Sequence, residues 1–424
     1  MKIKQDILAG EYNGYFEKLY SDVNEAQTRY AESCDEFVKL FGDNENVRLF
    51  SAPGRTEVGG NHTDHQHGRV LAGSVDLDVI AIVAPNNDNV VRIKSKGYDM
   101  DTVDLNDLEF KEKETGKAIS LIRGMCKFFK ENGYNVGGFD AYTTSKVLKG
   151  SGLSSSAAFE VLIGNIISGM FNEGKVSRIE IAKLSQRSER EYFGKPCGLL
   201  DQSASSLGGF TAIDFNDPAN PVVEQVDFDL HGHGYALCVV DTGGNHANLT
   251  QDYADITVEC LNVSEYFGKK FLRDVCPEEF FNNIASVREK CGDRAVLRAL
   301  HFFNEDTRAE AEKEALKADN FDEFLTLVNK SGESSYKYLQ NVYSNSDTSS
   351  QGVSLGLALT EQFLINREKK GAFRVHGGGF AGTIQCFMPT EYLADYKNYI
   401  EKVFGNGSCY ILNIRPIGGC EIVK

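Results

Sequence analysis

Apolar positions recur along this chain at two spacings. Between residues 15 and 41 they fall at Phe16, Leu19, Tyr20, Val23, Tyr30, Phe37 and Leu40, a helical stripe that stops at Gly42-Asp43-Asn44. Strand-like runs follow at 47–51, 69–85 and 89–95, and another spans Phe139 to Leu148. Helical patterns cover 117–132, 156–172 and 177–193, the last opened by a capping box of Ser177 and Glu180. Runs at 210–215 and 234–242 bracket a loop, Asn216 to Pro221, that marks the boundary between a domain 1–216 and a domain 217–424. The first carries a helical extension over about 1–44. The second reads as helix from Asp252 to Leu339 and from Ser354 to Lys370, with strands at Gly382–Phe387 and Ser408–Arg415. The mixture predicts an α+β fold with antiparallel character.

Composition narrows the function. At 424 residues and 41% hydrophobic, the chain can build two cores. No apolar run approaches the ~20 residues that span a bilayer. The start, MKIKQDILAGEYNGYF, has no apolar signal core or cleavage site, so a cytoplasmic protein is expected. Its ten cysteines lie scattered without a CxxC pair, as reduced thiols would. A net charge of −16 argues against nucleic acid as a partner. A bound anion has to be held by local devices instead, such as helix N-termini, a divalent cation and a few basic side chains.

Four segments carry chemistry. Residues 150 to 158, Gly-Ser-Gly-Leu-Ser-Ser-Ser-Ala-Ala, join a strand pattern to a helix pattern. Gly150 and Gly152 let backbone approach an anion, while the serines open a helix whose unpaired N–H groups and dipole favour negative charge. The usual G-x-x-x-x-G-K-[ST] loop is absent. Residues 54 to 65 pack Arg55, Glu57, Asn61, His62, Asp64 and His65 into what reads as a glycine-rich turn after the strand 47–51. A core would exclude that density of charge, whereas a polyol, donor and acceptor at once, suits it. Glu189 falls in the last turns of the third helix, and Asp201 follows the apolar approach Gly198-Leu199-Leu200, where its acidity can be tuned. Arg374 to Gly382 places four glycines in six positions, at 377, 378, 379 and 382.

In this order the four segments resemble the GHMP family of small-molecule kinases, and within it the galactokinases. The resemblance implies an N-terminal ribosomal-protein-like domain, an α+β C-terminal domain and a site between them. It further implies a sugar kinase using ATP and Mg²⁺ to phosphorylate the C1 hydroxyl of a hexose, galactose first, working as a monomer. By motif position Asp201 and Arg55 are the catalytic pair, and Gly150, Ser151, Gly152, Leu153, Ser154, Ser155 and Ser156 are the phosphate loop. Ser156 and Glu189 share the metal, and Asn61, His62, Asp64, Gly198 and Tyr253 meet the sugar.

Galactokinases usually read Gly-Arg-Val-Asn-Leu-Ile-Gly-Glu-His-Thr-Asp-Tyr in the first motif. Here Glu57 stands for the Asn, Gly59 for the Ile, Asn61 for the Glu and His65 for the Tyr. The Glu lies toward the sugar's C6 group in the family, so Asn61 opens the alternative of galacturonate or another modified hexose. A further alternative is a galactose and ATP sensor that does not turn them over. His376, where a threonine is frequent, has no role assigned by the motif.

Overall fold

The computed structural model describes residues 1–147, 152–244 and 249–424. Its strands are β1 (Arg48–Gly59), β2 (Arg69–Pro85), β3 (Val90–Ser95), β4 (Met100–Asp104), β5 (Phe139–Ser145), β6 (Phe210–Asp214), β7 (Val222–Val226), β8 (Tyr235–Asp241), β9 (Ala372–His376), β10 (Thr383–Pro389), β11 (Cys409–Leu412) and β12 (Cys420–Ile422). One sheet has the order β12-β1-β2-β5-β3-β4, with β6 and β7 continuing from the far end of β2; a second has the order β11-β8-β10-β9. All pairings are antiparallel except β3 with β5.

The long apolar run of β2 is explained by burial on both faces. Ile80, Ile82 and Ala84 face the N-terminal helices α1 (Lys2–Leu8), α2 (Asn13–Leu19) and α3 (Val23–Phe41), where Phe16, Tyr30 and Phe37 cover them. Val79, Ala81 and Val83 face the opposite core, built with α4 (Ala118–Glu131), α5 (Ser155–Phe171) and α6 (Arg178–Ser188). The stripe that reads as one helix over 15–41 is two. The chain breaks at Tyr20, which is extended, and restarts at Asp22, whose carboxylate caps α3 by accepting from Glu25 N at 2.9 Å.

After α7 (Leu200–Leu207) come α8 (Thr250–Tyr266), α9 (Pro277–Asn282), α10 (Ile284–Cys291), α11 (Asp293–Lys317) and α12 (Phe321–Ser334). Finally α13 (Gly352–Leu364) and α14 (Leu393–Phe404) cover the outer face of the second sheet. That sheet's inner face, with Leu237, Val239 and Phe387, joins Phe324 and Val328 of α12 in the main core. No helix among the described residues is long and apolar enough to cross a membrane.

Strand pairing crosses the boundary expected at 216/217: β7 pairs with β6 and β12 pairs with β1 (Leu49 opposite Ile422), so both complete the first sheet. And residues 54–59 are not a turn. They continue β1, whose register slips between Pro53 and Arg55 and again between Glu57 and Gly59, so the glycines mark bulges in a strand.

Asp78, fully buried on β2, ties the extension to this frame. It accepts from Arg29 Nη1 and Ser51 Oγ at 2.5 Å, Tyr20 at 2.6 Å and Arg415 at 3.2 Å. Burial alone would raise its pKa, but Arg29 and Arg415 outweigh burial and hold it below the ordinary value. Arg29→Met should therefore cost about 3 kcal/mol of unfolding free energy in urea titration. A loss below about 1 kcal/mol, the value of an exposed pair, would mean that Arg415 alone compensates Asp78.

Candidate active site

β1 runs directly beneath the serine loop. A Cβ at Gly54 would stand 2.8 Å from the Leu153 carbonyl, so only glycine allows this approach. Arg55 N donates to that carbonyl at 3.1 Å, and Arg55 Nη1 donates to Gly152 O at 2.5 Å. Arg55 Nε meets Asp201 Oδ1 at 2.7 Å. Asp201 itself lies in the first turn of α7, and its other oxygen accepts from Ser154 Oγ. Burial works to raise the Asp201 pKa, yet the Arg55 charge and the hydrogen bonds from Arg55 and Ser154 keep it below the ordinary value, so it is a carboxylate at neutral pH.

Ser154 sits at the N-cap of α5 in the left-handed conformation (φ 55°) and makes no side-chain cap. Its hydroxyl serves Asp201, which leaves the opening N–H groups of a 17-residue helix for an anion. Gly152, Leu153 and Ser155 complete the described part of the loop; Gly150 and Ser151 lie outside the described residues.

In the first turn of α5, Ser156 Oγ donates to Glu189 Oε1 at 2.8 Å. Glu189 is 1% exposed and begins the π-helical turn Glu189–Phe193 that extends α6. Glu191 is on the outside, paired with Arg187. Lys195 Nζ reaches the same Glu189 oxygen at 3.1 Å, and Gln202 donates to the other at 2.6 Å. Glu160, at 3.3 Å from Gln202, is buried, and burial and then Glu189 push its pKa well above the carboxyl range. Among the described residues no cluster of three or more His, Cys, Asp or Glu could hold a metal unaided.

Beyond the bulged strand, Asp64 opens a short 3-10 turn after His62, which is left-handed at φ 57°. A Cβ on Gly198 would lie 3.1 Å from Asp64 Oδ2, so this carboxylate stands over the backbone leading into α7 and Asp201. His62 Nε2 donates to Gly378 O at 2.9 Å and Tyr253 Oη to Gly379 O at 2.9 Å. The glycine turn of the second sheet thus gathers both.

Asn61 is different from the expectation of a side chain aimed at a sugar's C6 group. It is fully buried, and its Nδ2 donates to Glu57 Oε1 at 2.6 Å and Gly377 O at 2.7 Å. Its Oδ1 accepts from Asn341 at 2.8 Å. Both amide hydrogens are engaged within the protein, which leaves none for a ligand. Glu57 in turn pairs with Arg374 at 3.3 Å. Burial raises the Glu57 pKa, with Arg374 and Asn61 acting against it.

Sequence reasoning missed this network because its members come from α11, α12 and β9. Glu305 accepts from the Gly60 and Asn61 amides at 3.2 and 3.3 Å and from Ser331 at 2.5 Å. Burial alone would raise its pKa, but His301, Arg308 and Arg374 bring it down to about 2. Glu312 lies against Gly59, where a Cβ would stand 1.7 Å from its Oε2, so the isoleucine usual there could not fit beside it. Burial, then Glu305, raises the Glu312 pKa well above the ordinary value. His376 bridges Thr56 at 3.1 Å and Thr383 at 2.8 Å beneath Gly152; burial, then Arg55, lowers its pKa to about 3, so it is a neutral strut.

Comparison with known proteins agrees with this geometry. The family model "GHMP kinases N terminal domain" matches residues 120–209, and "Galactokinase galactose-binding signature" matches residues 35–85. A galactokinase of Glaesserella parasuis is 30% identical over 373 residues, 87% of this chain and 92% of its own. The crystal structure of Lactococcus lactis galactokinase complexed with galactose superposes with a TM-score of 0.74 at 24% identity, covering 91% and 97% of the two chains. Mevalonate kinase of Methanococcus jannaschii follows at 0.61 and 15%, covering 88% and 99%. The fold and the serine loop define a GHMP small-molecule kinase. The chain belongs to the galactokinase family, as a phosphotransferase acting on a sugar hydroxyl.

Two outcomes follow from the buried network. Asn61→Glu should set a carboxylate against Glu57 and lower stability, visible as a lower Tm; an unchanged Tm would mean that the site relaxes freely. Glu312, held protonated, contributes stability that is fully present below its unfolded pKa near 4.5 and is lost as pH rises toward its folded value. Glu312→Gln should therefore gain stability over wild type more at pH 8 than at pH 5 in urea titrations, and equal gains would overturn the assignment.

Proposed function

We propose that the protein transfers the γ-phosphoryl group of ATP to the anomeric C1 hydroxyl of galactose. The observation that supports this most strongly is Asp201, ionised by Arg55 and Ser154 where the serine loop meets the sugar-signature strand of a galactokinase-family chain. Its carboxylate accepts the hydrogen of the C1 hydroxyl, by removing the proton or by orienting the oxygen. Arg55 offsets charge on the transferring group. The α5 N-terminus and the loop Gly150–Ser156 receive the phosphates, so that positioning and electrostatics carry most of the rate.

Ser156 and Glu189 suit Mg²⁺. They offer one hydroxyl and one carboxylate, hard oxygen donors 2.8 Å apart, and magnesium completes its shell with phosphate and water. Held there, the ion would neutralise phosphate charge. Asp64, Gly198 and Asp201 frame the sugar, with His62 and Tyr253 setting the glycine turn beside it.

A neutral hexose is favoured over a uronate. The uronate reading rested on the lost carboxylate at position 61, but Glu57 supplies one four residues earlier, bonded to the Asn61 amide and within electrostatic reach of Arg55 and His62. A carboxylate at C6 would meet like charge in a partly dry site.

Asp201→Asn should keep galactose affinity, measured by calorimetry, and reduce ADP release by ~10²-fold or more. Turnover close to wild type would remove Asp201 from the chemistry. Across a panel of hexoses and hexuronates, Glu57→Gln should narrow the galactose-over-galacturonate ratio of kcat/KM by about 10-fold; the same ratio in both proteins would mean that Glu57 does not face the sugar.

A further inference from the structure

Lys195 stands at the phosphoryl-transfer site without belonging to any of the motifs above. Its backbone is fixed, because Lys195 N donates to Glu189 O at 3.1 Å just after the π-helical turn. Its side chain folds back on the same residue and puts Nζ 3.1 Å from Glu189 Oε1, the oxygen that also accepts from Ser156. Among the described residues no other cation pairs with Glu189. Asp201 lies within electrostatic reach of the same ammonium.

Exposure separates the two partners. Glu189 is 1% exposed in its side chain and cannot move without opening the α5–α6 contact, whereas the Lys195 side chain is 54% exposed. Arg55, by contrast, is pinned between Asp201 and the Gly152 carbonyl. A compact ammonium on a flexible stem can leave its partner at little cost; a forked guanidinium held at two points cannot. The Lys195 ammonium also occupies the oxygen that a divalent cation bound by Ser156 and Glu189 would need, and the two cations would repel each other at that distance.

We propose that Lys195 is the mobile cation of the phosphoryl-transfer site: it closes on Glu189 in the free enzyme, yields that carboxylate when the nucleotide arrives with its metal, and turns its ammonium onto the phosphoryl oxygens. This rests on the reading of Ser156 and Glu189 as metal ligands. In the free protein Lys195 screens a buried carboxylate that would otherwise lie uncompensated against protonated Glu160 and the Asp201 carboxylate. In the loaded protein the same charge stands at the mouth of the site, on the side of Asp201, where negative charge develops during transfer.

The test is the affinity of a non-hydrolysable ATP analogue, measured by calorimetry across a Mg²⁺ titration, for wild type, Lys195→Met and Glu189→Gln. Galactose binding serves as the check on folding. Lys195→Met removes a competitor, so the Mg²⁺ midpoint should fall by about fivefold, the equivalent of one partly exposed ion pair, while kcat at saturating Mg²⁺ falls by about 10-fold or more. A disturbed loop would loosen the site and raise the midpoint, so the direction separates the two. A midpoint that stays or rises in Lys195→Met, beside a raised one in Glu189→Gln, overturns the competition and leaves the metal ligands standing. An unaltered kcat overturns the contact with the phosphoryl group. An unchanged midpoint in Glu189→Gln overturns the metal assignment itself.

Discussion

Each carboxylate drawn into the interior has to find a cation or keep a proton, and the answers to that demand shape the site. Asp78 meets Arg29 and Arg415, Asp201 meets Arg55, Glu57 meets Arg374, Glu305 meets Arg308, and Glu189 meets Lys195. Among the described residues Glu160 and Glu312 have no such partner, and burial keeps their protons on. A chain of net charge −16 thus keeps its few interior cations in place by setting them over carboxylates that cannot leave.

The shared rail is β1. Its N-terminal half pairs with β12 and β2 deep in the first sheet, while its bulged half carries Arg55 to the serine loop and Glu57 to the second sheet. The two register slips let consecutive side chains serve different layers: Arg55 turns to α7, Thr56 to β9 and β10, and Glu57 to β9. From the other side the glycine turn at 377–379 offers three successive carbonyls, taken by Asn61, His62, Asn341 and Tyr253. The proposed nucleotide and sugar regions are in this way set by the same short length of chain.

Much of this was legible in the sequence, for local reasons. The unbroken apolar run of β2 is what burial on both faces requires, and the Ser177 cap that starts α6 is formed as written, with Oγ accepting from Glu180 N at 3.2 Å. Ser154, Asp201 and Arg55 lie in motifs whose chemistry is carried by neighbours in the chain. What stayed hidden depends on distant pairing. The run 54–59 looks like a turn because glycine is read as a breaker, although here it marks bulges and close approach. Asn61 looks free for a ligand because Asn341, His301 and Glu305 are more than two hundred residues away. The departures Gly59 and Asn61 each fit a partner, Glu312 and Glu57, that no local pattern reveals. Lys195 gives no signal at all in a loop of that composition.

The position of β12 carries a consequence for how the molecule comes into being. Its pairing with β1, and the Arg415 side chain just before it, complete a sheet whose other members lie between residues 48 and 226. While residues 1–226 emerge from the ribosome, that sheet has an open edge along β1, and Asp78 has only Arg29 for a cation. Contacts of this sequence separation close slowly, and an exposed strand edge invites pairing with other chains in the meantime. The first half of the chain therefore carries that open edge, and a half-compensated Asp78, until residues 415–422 are available to close it.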